Sequence, residues 1–136
     1  MNINVNIVQN KSQNMQKAYR YDGSFAGFLC CMGETIRLNR MPAAILDEEA
    51  PLSLFPEQWI ETEEIRARQV YTALRKRISP QIQEQTALGF LTCCPEKEML
   101  LLRFVRMGLQ DGNSILRRLT DPTIHALLKA IQHLQN

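Results

Sequence analysis

Residues 19–31, Tyr-Arg-Tyr-Asp-Gly-Ser-Phe-Ala-Gly-Phe-Leu-Cys-Cys, constrain the fold more than any other stretch, because a strand end, a sharp turn and a helix start meet there. Tyr19 and Tyr21 alternate about Arg20 as a short strand does, and Gly23 permits a backbone angle closed to other residues. Asp22 and Ser24 each carry an oxygen that can accept from the free amides of a first helical turn, so either one suits a cap. Phe25, Phe28, Leu29, Met32 and Ile36 then recur at the spacing of one helix face, which predicts a helix over residues 24–37.

The rest of the chain extends this pattern. Residues 39–56 hold three prolines and the acidic run Asp47-Glu48-Glu49, which makes them a loop with one short extended piece at 43–46. Leu54 and Phe55 within it are apolar enough that they are expected to dock onto the helices. Residues 59–61 suit a second strand, and a helix with acids in its first turn follows over 62–78, with Ala67, Val70, Tyr71, Leu74 and Ile78 as its buried stripe. Ser79-Pro80 restarts the chain as cap and first helical residue, giving a helix to about residue 94, and Pro95 opens the next, in which apolar residues on nearly every side mark a central helix. Gly108 and Gly112 predict a fray or turn before a short helical piece at 114–119. Asp121-Pro122 is a strong start signal for a final helix with the stripe Ile124, Leu127, Leu128, Ile131 and Leu134.

The expected fold is α+β, mostly α, with about five helices and a small two- or three-stranded sheet. Residues 1–17, rich in Asn and Gln with Ile3, Val5 and Ile7 alternating, read as a flexible N-terminal extension. Residues 18–136 read as one helix-rich domain, and the apolar stripe running to the last residues is expected to continue past Asn136. A chain of 136 residues has room for one ordinary domain. No run of about 18 apolar residues is present to cross a bilayer, and the first residues lack the basic and apolar regions of a secretory signal, so a cytoplasmic address is expected.

Chemistry-bearing motifs are few. The adjacent pairs Cys30-Cys31 and Cys93-Cys94 diverge by about 100° on a helix, which suits buried thiols better than a shared metal ion. His125 and His133 are eight apart on one helix, too far to chelate one ion, and are expected at the surface. No metal and no cofactor is expected. The charge is uneven: residues 1–63 carry 5 Lys+Arg against 8 Asp+Glu, a net of −3, and residues 64–136 carry 11 against 6, a net of +5. Arg75-Lys76-Arg77 suits a helix C-terminus. Arg103 and Arg106 share a narrow face of an otherwise apolar helix, so they either pair with an acid such as Asp111 or Asp121 or open onto an anion site. In the second case Arg117 and Arg118 extend the same strip toward a phosphate backbone.

Tyr21-Asp22-Gly23-Ser24-Phe25, Gly27-Phe28-Leu29, Ser53-Leu54-Phe55, the Arg68-Gln69-Val70 segment ahead of Leu74, and Leu100-Leu101-Leu102-Arg103 with Arg106-x-Gly108 resemble successive landmarks of a bacterial family of DNA-metabolism proteins. That family is built on a domain of unknown function, also found fused ahead of a uracil-DNA-glycosylase-like domain and beside radical S-adenosylmethionine proteins. The resemblance spans about residues 19–136. It implies a chain that continues beyond Asn136, and a role in DNA repair or modification with DNA and a radical S-adenosylmethionine protein as partners. It assigns no chemical role to Tyr21, Asp22, Gly23, Ser24 or Phe25. The expected function is a non-catalytic DNA-associated or partner-binding module, with Arg103, Arg106, Arg117 and Arg118 on phosphate. The alternatives are a nucleobase-acting hydrolase or lyase using Asp22 and Tyr21, and an interaction domain that pairs, in a homodimer or with another protein, through an exposed apolar edge.

Overall fold

Alternation around Arg20 does produce a strand, and the sheet forms around it. The computed structural model describes residues 16–135, so the expected Ile3, Val5, Ile7 alternation lies outside the described residues. Strand β1 (Ala18–Arg20) lies between β2 (Ala44–Leu46) and β3 (Glu57–Trp59), and pairs in parallel with both. Its rows are Ala18 with Ala44 and Glu57, Tyr19 with Ile45 and Gln58, and Arg20 with Leu46 and Trp59. Tyr19 and Ile45 are buried with the helices, which leaves Arg20, Leu46, Glu57 and Trp59 on the other face. The second strand thus lies two residues ahead of the expected 59–61, and Ile60 follows it, donating its amide to the Arg20 carbonyl at 2.9 Å.

Five helices and a 3-10 segment complete the described chain: α1 (Phe25–Leu38), α2 (Glu64–Arg77), α3 (Pro80–Phe90), α4 (Lys97–Asp111), the 3-10 turn (Gly112–Arg117) and α5 (Pro122–Gln135). The architecture is α+β, mostly α, with one three-stranded sheet. None of these helices is long and apolar enough to cross a membrane. Helix α1 ends at Asn39, whose left-handed backbone (φ 51°) lets its amide reach the Ile36 carbonyl while the Arg40 amide reaches Thr35. The Ser79 hydroxyl accepts from the Ile82 amide and donates to Asn113 Oδ1 at 2.6 Å, tying the start of α3 to the 3-10 turn. Asp121 caps α5 through the amides of Thr123 and Ile124. Leu101 and Phe104 of α4 are fully buried against α3, α5 and the 3-10 turn. Its Arg103, Arg106 and Leu109 are exposed, so α4 is central along one side only.

Three expectations are corrected here. Helix α3 stops at Phe90 rather than near residue 94, because Thr92 Oγ1 and Lys97 Nζ take the Gly89 and Phe90 carbonyls. Proline 95 has no amide to offer the Leu91 carbonyl, which bars a further turn. Helix α4 runs through Gly108, where the chain packs on Ile78 closely enough that a Cβ would lie 3.1 Å from it, and ends only at Gly112 with φ 74°. Leu52, Leu54 and Phe55 do not dock: all three are exposed, Leu54 completely.

The reason for the last lies in residues 47–56, which must cross β1 to join two strands on its opposite sides. The Arg20 guanidinium holds this crossover with five hydrogen bonds: two to the Glu57 carboxylate and one each to the Asp47, Ala50 and Pro51 carbonyls. Glu57 also accepts from the Ser53 amide at 2.9 Å. The backbone is thereby satisfied on the outer face of the sheet, and the apolar side chains point into solvent.

The bond from Arg20, and then the Ser53 amide, hold the Glu57 carboxyl well below the usual glutamate range, at about 2. A carboxyl whose pKa is lower folded than unfolded adds stability above its unfolded pKa and loses it as pH falls. The stability difference between the wild-type chain and Glu57→Gln is therefore expected to be full near pH 7 and to shrink from about pH 5 toward about pH 2. Urea midpoints of both chains across that range check this, and a constant difference would remove Glu57 from the acid sensitivity.

Candidate functional site

Asp22 and Ser24 at the β1–α1 junction act together as a cap, where either alone was expected. Ser24 Oγ accepts from the Gly27 amide at 2.9 Å and donates to Asp22 Oδ1 at 2.6 Å, which also accepts from the Ser24 amide. Asp22 Oδ2 accepts from Thr62 Oγ1 at 2.8 Å, so the same carboxylate ties the start of α1 to the approach to α2. The Ser24 hydroxyl foremost lowers the Asp22 pKa below its ordinary value. Gly23 sits at φ 86°, as the turn requires. Tyr21 is buried and donates its hydroxyl to Glu98 of α4 at 2.8 Å, and burial pushes its pKa up. Phe25 packs edge-on against Tyr71. Asp22 and Tyr21 are thus engaged in holding elements together: the carboxylate accepts at both oxygens and stays ionised, and the phenol stays protonated.

The arginines are arranged differently from any expected pairing. Arg103 and Arg106 are both exposed, and neither pairs with Asp111 or Asp121 among the described residues. Asp111 instead pairs with Arg118 at 3.0 Å across the 3-10 turn, because the helix ends there and brings the two together. Arg117 and Arg118 are both exposed, Arg118 paired with Asp111.

Arg106 stands in one of two adjoining grooves that meet at Ile36 and Leu109. The first, a cavity of about 80 Å³ between the end of α1 and the side of α4, is floored by Met32, Leu102 and Val105 and flanked by Asn39, Arg40 and Arg106. The second, of about 460 Å³ between α1 and α2, is lined by Arg37, Arg66 and Arg77. No Asp or Glu lines either groove. The nearest balancing charge is Glu34, buried beneath, which pairs with Arg66 at 2.8 Å and with Arg37. Those two guanidiniums, Arg37 first, keep its carboxyl below the usual range. Five arginines from α1, α2, α4 and the turn after α1 thus line two adjoining grooves, and Glu34 pairs with two of them, Arg37 and Arg66. Of these only Arg106 was singled out from sequence. Arg37, Arg40 and Arg66 are missed, and Arg77 is read only as a helix C-terminal cation, because what unites them is lining grooves that meet at Ile36 and Leu109, which no spacing encodes.

Cys30 and Cys31 are buried as expected, and burial pushes the Cys31 thiol up to about 12. Cys93 is exposed and Cys94 half-buried, which corrects the expectation of a second buried pair: the early end of α3 leaves them in the α3–α4 connection. His125 and His133 are exposed. Among the described residues no three His, Cys, Asp or Glu side chains gather as a metal site would require.

The fold and its surface define a small, mostly helical α+β domain with an arginine-lined pair of grooves. Comparison of the chain with protein-family models, with curated proteins and with solved structures finds no match.

Proposed function

We propose that this chain is a non-catalytic DNA-associated module of a bacterial DNA repair or modification system, holding a phosphate backbone on the arginine grooves at the end of α1. The observation that carries the reading is the convergence of Arg37, Arg40, Arg66, Arg77 and Arg106 on two grooves that no acid lines. Guanidiniums gathered along a concave surface attract anions, and their planar forks match phosphate oxygens. Arg103, one turn before Arg106 on the same exposed face, and Arg117 extend the strip; Arg118, paired with Asp111, contributes less. The resemblance of the Tyr21–Phe25, Ser53–Phe55 and Leu100–Gly108 segments to DNA-metabolism proteins supports the same reading, and implies a radical S-adenosylmethionine protein as a companion.

Fluorescence anisotropy with short duplex and single-stranded DNA tests it. Binding is expected to weaken steeply between about 50 and 200 mM salt, and Arg103→Ala and Arg106→Ala each to lower the salt slope by about 1. Arg106→Glu is expected to weaken binding about tenfold or more at low salt. Salt-insensitive binding, or none to either form of DNA, would refute the phosphate role.

A further inference from the structure

The apolar side chains left in solvent by the crossover are not scattered. Five of the ten large hydrophobic residues exposed in the described chain, Leu52, Leu54, Phe55, Trp59 and Ile65, fall between Arg40 and Arg66. That same interval, residues 41–65, contains seven Asp+Glu and no Lys or Arg. Three of the acids are the exposed run Asp47–Glu49, and three more, Glu61, Glu63 and Glu64, are exposed just beyond β3. The seventh, Glu57, is spent on Arg20.

The patch is also fixed in shape. Arg20 binds the backbone on the acidic side, at Asp47, Ala50 and Pro51, while Glu57 binds it on the apolar side, at Ser53, whose hydroxyl accepts from the Phe55 amide. Trp59 is held by its indole N–H, which donates to Glu61 at 2.8 Å. Exposed apolar side chains and carboxylates without an ion pair among the described residues thus share one segment, whose backbone Arg20 and Glu57 hold before anything binds.

We infer that residues 47–61 form a docking surface for a cationic amphipathic protein segment, one that offers apolar side chains to Leu54, Phe55 and Trp59 and Lys or Arg to the surrounding acids. Charge decides the class of occupant: the carboxylates repel nucleic acid and anionic lipid, and attract a basic helix. The surface is separate from the arginine grooves. Asp47 lies beside Gly23 at the start of α1, whereas Ile36 and Arg37 are at its end, about 20 Å along a helix of 14 residues. Both can be occupied at once, and the inference does not rest on DNA binding.

Trp59 is the single tryptophan of the chain and lies within the surface, so its emission reports occupancy directly. The probe is a synthetic helical peptide of leucine and lysine, about 15 residues long. Its titration is expected to shift the emission to the blue and to saturate, with binding weakened by added salt. Leu54→Ser/Phe55→Ser and, separately, Glu48→Lys/Glu49→Lys are each expected to weaken it about tenfold or more. All four positions are exposed, so thermal melts of these variants should match the wild type. The inference is overturned if a leucine–glutamate peptide binds as well, or if the variants bind the lysine peptide unchanged. It is equally overturned if phosphatidylserine vesicles shift the emission while the lysine peptide does not, or if the shift follows protein concentration alone, which would make the occupant a second copy.

Discussion

Phe28→Ala is expected to destabilise the chain by about 3–5 kcal/mol, a large share of the roughly 5–15 kcal/mol that holds a typical domain folded. Phe28 is fully buried in the first turn of α1 and stacks on Phe90 of α3, with ring centres 5.3 Å apart and planes at 16°. Its other neighbour is the Tyr21 ring, 6.5 Å away and tilted, which follows β1 directly. One side chain thus joins the end of β1, α1 and α3. Truncation removes its transfer free energy, leaves a cavity and deletes two aromatic contacts of about 0.5–1.5 kcal/mol each. Phe28→Leu, which keeps most of the volume, is expected to cost about half as much or less. Urea unfolding followed by circular dichroism checks both, with the midpoint falling and the slope unchanged. A loss below about 1 kcal/mol for the alanine variant would mean that the site collapses around the gap.

The aromatic face that carries this effect was legible from residue spacing, and so were the caps. Phe25, Phe28, Leu29 and Met32 at helical intervals, Ser79-Pro80 and Asp121-Pro122 are local signals, and each element they imply is present. The sheet was less legible because its strands are three residues each and are held by partners far along the chain. Arg20 meets Glu57 across 37 positions, and nothing near either residue announces the other. Leu54 and Phe55 misled for a related reason: their hydrophobicity is a local property, but the path of the crossover is set by what satisfies its carbonyls, and that is Arg20. The end of α3 follows the same logic, since Lys97, seven residues beyond Phe90, takes the last carbonyl. At the candidate site, the pattern marked Arg106 as a cation on an apolar helix. It did not reveal the four other arginines, which come from three further segments and meet only because α1 packs against α2 and α4.

Gly27→Ala is expected to destabilise the chain by about 2–4 kcal/mol, although alanine is favoured over glycine by about 1 kcal/mol in an ordinary helix interior. The sign reverses because of what stands beside the α-carbon. A Cβ there would clash with Asp22 Oδ1 and lie 2.8 Å from Thr62 Oγ1 and 3.1 Å from the Tyr21 ring. Asp22 cannot swing aside cheaply: Oδ1 accepts from the Ser24 amide and hydroxyl, and Oδ2 from Thr62. Moving it breaks the cap of α1 and the link to α2 together, at about 1 kcal/mol for each hydrogen bond lost. A smaller neighbour should therefore relieve the clash. In the Asp22→Ala background, itself less stable, Gly27→Ala is expected to cost at least about 1 kcal/mol less than in the wild type, a coupling that a double-mutant cycle of urea midpoints measures directly. Additive costs would show that the added methyl acts through the Tyr21 ring or the helix backbone instead, and the carboxylate would then be a cap that merely lies near Gly27 rather than the reason a glycine stands there.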